Sequence, residues 1–300
     1  MAKKDDNQLE LFAPMFPSSI AVKDQQDLMQ YPFFSLSKSK RTTPIDFDNG
    51  KVQITVTSSD RYGIASIFDA DILIYIASQL MEAHNKGLPT SRVIKVSKYD
   101  ILEFVGKATG GKSYIQLKNA LRRLKATMVE TTIRPEDGSK GDRVFGWIED
   151  FTAIEKNGRP VALSITIPQW FYNGVVDRQL VLTMNRKYFE IEGGLERFLY
   201  RIARKVAGTS NELKMKLDTV RKRSGTTRKP GAFRKLVENI MIKQSLPEYW
   251  IFLVKRQATG DEYVVANQKA RFRTYEEAYA NISFIAMDKA LILASRRKRR

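Results

Sequence analysis

VIKVSKYDILEFVGKATGGKSYIQLKNALRRLKAT, residues 93–127, holds a short strand, a capped helix, a glycine-marked turn and a second helix, in that order. Val93, Ile94 and Val96 are apolar and β-branched, as suits a short strand. Ser97 stands where an N-cap belongs, and Asp100 is a short relative of the usual capping glutamate. That helix ends at Gly106, and Lys107–Gly111 forms a loop. A further helix runs from about Lys112 to Thr127. At 100° per residue, Leu117, Leu121 and Leu124, with Tyr114 and Ala120, share one side and predict a core face. Lys112, Asn119, Arg122 and Arg123 fall on the other side, flanked by Gln116 and Lys118, with Ser113 in the first turn. Arginine suits guanine edges, and asparagine or glutamine suits adenine. No acid occurs from Lys112 to Val129. An ordinary solvated helix face usually mixes signs, so these residues are DNA-binding candidates.

Working outward, Lys51–Thr57 alternates as a strand and Ile67–His84 reads as a helix stopped by Gly87 and Pro89. Downstream come strand-like runs at Met128–Arg134, Val144–Glu155 and Val161–Ile167. The Asn157-Gly158 pair is a hairpin signal. Helix, strand, helix, turn, helix and hairpin make a winged helix-turn-helix. The second half repeats the order: helices at Arg197–Ala207, Leu213–Arg223 and Pro230–Gln244, then a hairpin of Tyr249–Arg256 and Glu262–Ala266. Pro230 sits at the tolerated first helical position. Phe233, Leu236, Val237 and Ile240 form a core stripe, and Arg234, Lys235, Glu238 and Asn239 face away. Thr226, Thr227, Arg228 and Lys229 could hold phosphate by hydroxyl, amide and charge. Arg201–Lys243 contains thirteen basic and three acidic residues. The expected fold is α+β, with two tandem winged-helix domains. Expected boundaries are a disordered tail at 1–30, a first domain with an N-terminal arm at 31–178, a second at 179–295 and a basic tail at 296–300.

The chain has 300 residues and a formal net charge of +18. Such a surface attracts phosphate polymers through counterion release. No cysteine is present, which excludes disulfides, thiolate catalysis and cysteine zinc sites. The single histidine, His84, lies near a helix end, where a partly exposed structural role is the plain reading. One histidine is too few for a rolling-circle nickase that pairs two metal-binding histidines with a tyrosine. No catalytic residue, cofactor or metal is expected. The longest apolar stretch, Ile72–Ala77, is far short of the roughly 18 residues needed to span a bilayer. The expectation is a soluble intracellular protein without membrane contact.

Two short motifs need separate weighing. Gly106–Ser113 matches G-x-x-x-x-G-K-[ST] letter for letter. That pattern cradles nucleotide phosphates when it joins a buried strand to a helix. Here a capped helix precedes it, and a tight turn explains the glycines equally well. Gln8-Leu9-Glu10-Leu11-Phe12 looks like the bacterial sliding-clamp-binding pentapeptide, with Gln8, Leu9, Leu11 and Phe12 as anchors. A chance apolar patch, or a tail docked on its own protein, is the alternative.

Beyond these motifs, the chain resembles the replication initiator protein A family of bacterial plasmids. The matching stretches are Pro32–Lys38 (PFFSLSK), Tyr62–Ala65 (YGIA), Phe68–Ile74 (FDADILI), Gly110–Tyr114 (GGKSY), Ala120–Leu124 (ALRRL), Leu199–Lys205 (LYRIARK) and Lys222–Gly225 (KRSG). They span about residues 31 to 253. The resemblance implies tandem winged helices that bind direct repeats (iterons) in a plasmid origin. It also implies opening of adjacent AT-rich duplex, recruitment of the host initiator and replicative helicase, and a monomer–dimer equilibrium. The competing readings are a winged-helix autorepressor, a P-loop ATPase resting on Gly106–Ser113 alone, and an interaction module that would leave the charge unexplained.

Overall fold

The structure is a computed structural model, which describes residues 11–13, 16–134, 142–156, 159–210, 212–256 and 259–282. They divide into two units. One holds the described residues up to Asp27 together with Phe33–Met184, and the other holds Leu28–Pro32 with the residues from Asn185 onward.

The described residues begin with strands β1 (Leu11–Phe12) and β2 (Val22–Gln25), helix α1 (Gln26–Gln30) and strands β3 (Ile45–Asp48) and β4 (Gln53–Ser58). Helix α2 (Asp71–Asn85) is apolar on nearly every side, and a helix of that kind must be buried all round; Ile72–Met81 are buried without a break. Strand β5 (Val93–Val96), α3 (Lys98–Phe104) and α4 (Gly111–Ala126) follow. The Ser97 hydroxyl accepts the Asp100 N–H at 3.0 Å, which starts α3. Gly106 stops it: its φ of +68° is left-handed, and the N–H groups of Gly106 and Lys107 return to the carbonyls of Glu103 and Leu102. This is a Schellman closure, which favours glycine.

After α4 come β6 (Thr127–Thr131), β7 (Arg143–Gly146), β8 (Asp150–Lys156), β9 (Arg159–Thr166), α5 (Gln169–Tyr172) and β10 (Val181–Met184). Strand β9 lies between β5 and β8, and β1 adds to β5 in parallel, with Leu11 opposite Val93 and Phe12 opposite Ile94. A second sheet has the order β3-β4-β6-β7, and β2 pairs antiparallel with β10. Phe33 and Phe34 pack against Trp147 at centroid distances of 5.5 and 5.0 Å, and Phe145 stacks on Trp170 at 4.8 Å. The PFF segment is therefore core.

The second unit runs α6 (Gly194–Ser210), β11 (Glu212–Lys216), α7 (Leu217–Arg223), α8 (Pro230–Lys243), β12 (Tyr249–Lys255), β13 (Glu262–Gln268) and α9 (Tyr275–Ala280). Its sheet order is β11-β13-β12. In both units the strand before the helix-turn-helix pairs with the last strand of the hairpin. That shared topology, helix–strand–helix–helix–hairpin with the last strand central, is the winged helix. Strand β12 is buried on both faces because Phe252 and Val254 pack with Val265, Ala278 and Ile282, beside the rings of Tyr275 and Tyr279.

Several expectations are corrected. The sequence predicts a disordered tail at 1–30. Val22–Gln30 instead forms β2 and α1, with Leu28 and Met29 buried, and the Lys23 N–H bonds the Ser78 hydroxyl at 2.8 Å. The run Val144–Glu155 is two strands in two different sheets. Strand β6 joins β4 rather than the wing. The helix expected at Leu213–Arg223 begins as strand β11, because its Leu, Met and Lys residues fit either state and pairing with β13 decides. The unit boundary falls after Met184. The turn pair Asn157-Gly158 and the basic tail Arg296–Arg300 lie outside the described residues.

Candidate nucleic-acid interface

Helix α4 has the two faces that its spacing predicts. Leu117, Ala120, Leu121 and Leu124 are buried. Lys112, Gln116, Lys118 and Asn119 are exposed, and Ser113 and Arg122 are half-buried. Arg122 Nη1 donates to Asn119 Oδ1 at 3.3 Å, so these two side chains are aligned one turn apart. Lys112 and Lys118 have no ion pair among the described residues. Tyr114, expected in the core, is half-buried with the Lys98 ammonium 6.0 Å from its ring. At the other end Lys125 Nζ meets Asp150 Oδ1 at 2.6 Å, tying the helix to the wing strand β8. The Lys125 hydrogen bond holds the Asp150 carboxyl below its ordinary range.

Arg123 does not join the reading face. Its Nε and Nη2 donate to the two oxygens of Asp69 at 2.8 and 2.7 Å. Asp69 is 4% exposed and also accepts from the Ser66 N–H and hydroxyl at 2.8 and 3.0 Å. Arg123 thus anchors α4 to the turn before α2, and the fork geometry suits it to a bidentate carboxylate. Helical projection alone could not find this, since Asp69 lies 54 residues away.

The start of α4 has no side-chain cap and no acid in its first turn. Such an end carries unsatisfied N–H groups and the positive pole of the helix. Gly110 and Gly111 precede Lys112. Neither has a left-handed φ, and a Cβ on either would meet nothing within 4 Å. Nothing in the fold requires glycine at these positions. In place of the buried strand of a phosphate-binding loop, the segment before Gly106 is helix α3.

Helix α8 is built similarly. Pro230 is at its start, no acid lies in its first turn, and Phe233, Val237, Ile240 and Met241 are buried. Lys235 and Asn239 are exposed, as are Thr227, Arg228 and Lys229 before the helix, and Thr226 is half-buried. The Thr226 hydroxyl accepts the Arg228 N–H at 3.3 Å, shaping the approach. Arg234 is a second correction. Its Nε is 2.7 Å from Glu262 and its Nη1 reaches Glu238, so its charge is matched within the unit. The Glu238 partner was legible as an i,i+4 pair. Among the described residues, Arg228, Lys229 and Lys235 have no ion pair.

His84 lies in the last turn of α2, with its Nε2 3.1 Å from the Gln179 amide. Among the described residues there is no group of three or more His, Cys, Asp or Glu able to hold a metal. No described helix is long and apolar enough to cross a membrane. Of the clamp-like pentapeptide, Gln8 and Leu9 lie outside the described residues, and Leu11–Phe12 is the backbone strand β1.

Two winged helices in tandem, each with its third helix turned outward, define a winged-helix protein of the kind that reads DNA. The chain belongs to the replication initiator protein A family, whose model matches residues 23–251. Its role is accordingly in the initiation of DNA replication. It is 30% identical over 226 residues to a protein of Wigglesworthia glossinidia brevipalpis named for replication, covering 74% of this chain and 81% of that one. Among solved structures it is similar in fold to domains 2 and 3 of RctB. One such structure superposes with a TM-score of 0.58 at 12% identity, over 81% of this chain and 98% of that chain. Another gives 0.51 at 12% identity, over 81% and 96%.

Proposed function

We propose that this chain starts plasmid replication by binding directly repeated sites in the origin, with α4 and α8 each in a major groove. It acts by binding: it helps open the adjacent duplex and recruits the host initiator and replicative helicase, with no covalent chemistry of its own. The observation that carries the reading is the outward face of α4, where Lys112, Gln116, Lys118, Asn119 and Arg122 stand together without an acid. Thr226–Lys229, Lys235 and Asn239 supply the matching surface in the second unit. Selection of bound fragments from random DNA tests it. Tandem direct repeats support an initiator; a single palindrome would make the chain a repressor.

The glycines at the start of α4 belong to this reading, since a residue without Cβ lets a phosphate come close to the helix start. Gly111→Ala is expected to hold or raise stability by about 0.5 kcal/mol, because alanine restricts the unfolded chain. It is also expected to weaken binding to the selected site. Denaturant melts and fluorescence anisotropy measure the two effects; unchanged affinity would remove the phosphate role.

The sliding clamp is a further proposed partner, through Gln8, Leu9, Leu11 and Phe12. Because β1 pairs with β5, engagement requires this strand to leave the sheet. Leu11→Ala with Phe12→Ala is expected to leave DNA binding intact and to lose retention on immobilised clamp. Equal retention of the double variant would exclude this contact.

A further inference from the structure

Ile115 is 65% exposed, more than any other large hydrophobic side chain among the described residues. Its place on α4 makes this unusual. Setting Ile115 at 0° and stepping about 100° per residue, Arg122 falls beside it, Asn119 and Lys112 to one side and Lys118 to the other. Leu117, Leu121 and Leu124 fall on the opposite half. Ile115 therefore occupies the crest of the helix, as far from the core as a side chain can be. The fold gains nothing from it there. A β-branched residue is a weaker helix former than the lysines and glutamine around it, and its apolar surface faces water.

The surroundings say what covers it. The residues around it on the crest are cationic or amide-bearing, and no acid occurs on the helix. A protein surface apolar enough to bury Ile115 would have to bury these groups too, whereas the major groove offers them phosphates and base edges. The groove floor presents one apolar group among its four bases, the thymine C5-methyl. Isoleucine has no donor or acceptor, so set against a cytosine amine or a guanine carbonyl it would leave that group unpaired. Resting on the assignment of α4 to the major groove, we infer that Ile115 reads a thymine C5-methyl group, and so requires a T·A pair at one fixed position of each site bound by the first unit.

Deoxyuridine differs from thymidine only by the missing methyl, which makes the test direct. Each thymine of the selected site is replaced singly by deoxyuridine, and affinity is measured for the full chain, for Ile115→Ala and for Arg122→Ala. One position is expected to cost the unchanged protein about three- to tenfold, the worth of roughly one buried methyl. Ile115→Ala, on an exposed site and with a better helix former, should lose a similar factor on thymine DNA and no longer distinguish thymine from deoxyuridine there. If Arg122→Ala weakens binding but no deoxyuridine effect is abolished by Ile115→Ala, the inference fails while the assignment of α4 stands. If neither variant alters binding, α4 is not in the groove and both fall. A change in oligomeric state with unchanged DNA affinity in Ile115→Ala would also overturn the inference, because the residue would then be a protein contact.

Discussion

Replacing Asp69 by alanine is expected to lower the unfolding free energy by about 3 kcal/mol, the low end of the cost of breaking a buried ion pair. The carboxylate sits at 4% exposure and accepts four hydrogen bonds, two from Ser66 and two from the Arg123 fork. Its loss leaves a buried N–H unpaired and a guanidinium without its partner. The low end applies because the Arg123 side chain is still 32% exposed and regains some water. The side-chain hydrogen bond to Asp69 raises the Arg123 pKa above its ordinary value. A double variant, Asp69→Ala with Arg123→Met, should recover part of the loss, giving a non-additive cycle in urea titrations. An opposite outcome is informative. If Arg123 were a DNA-reading residue merely parked on Asp69, Asp69→Ala would keep its stability and bind DNA more tightly.

Arg122→Ala should behave in the reverse way. Its guanidinium is on the outer face, aligned by Asn119, so stability should change little. Specific affinity should fall by about 1–3 kcal/mol, with discrimination relaxed at one base pair. Lys118→Ala should instead weaken all sequences alike and reduce the salt slope by about one, as expected for a phosphate contact. Anisotropy titrations at several salt concentrations separate the two. Unchanged affinity of both Arg122→Ala and Ile115→Ala for the selected site would remove α4 as the reading helix. Adjacent arginines, 122 and 123, are thus expected to affect different properties, one affinity and the other stability.

Much of this was legible because it depends on near neighbours. The Ser97 cap, the Gly106 closure, the leucine stripe of α4 and Pro230 at the start of α8 act within one or two helical turns. The sequence order consequently located the helix-turn-helix in both halves. The Arg234–Glu238 pair is equally local, an i,i+4 contact written in the sequence that removes Arg234 from the DNA-contact candidates. Strand partnership was less legible. The alternation in Met128–Arg134 and Val144–Glu155 shows that one face is buried, not which sheet buries it. Residues 212–216 combine good helix formers with an alternation that a strand also satisfies, and pairing with β13 made them β11.

Local signals settled the helix-turn-helix order in both halves and the two-faced character of α4, since 3.6-residue periodicity and capping need no distant partner. The surroundings of each outward residue depended instead on long-range packing. Arg123 is held by a carboxylate 54 residues away, β6 and β7 were drawn to β4 rather than to the wing, and Ile115 was left at the crest with nothing to bury it. Each of these outcomes depends on which surfaces meet once the helices pack, and a contact between distant parts of the chain leaves no periodic trace in either part.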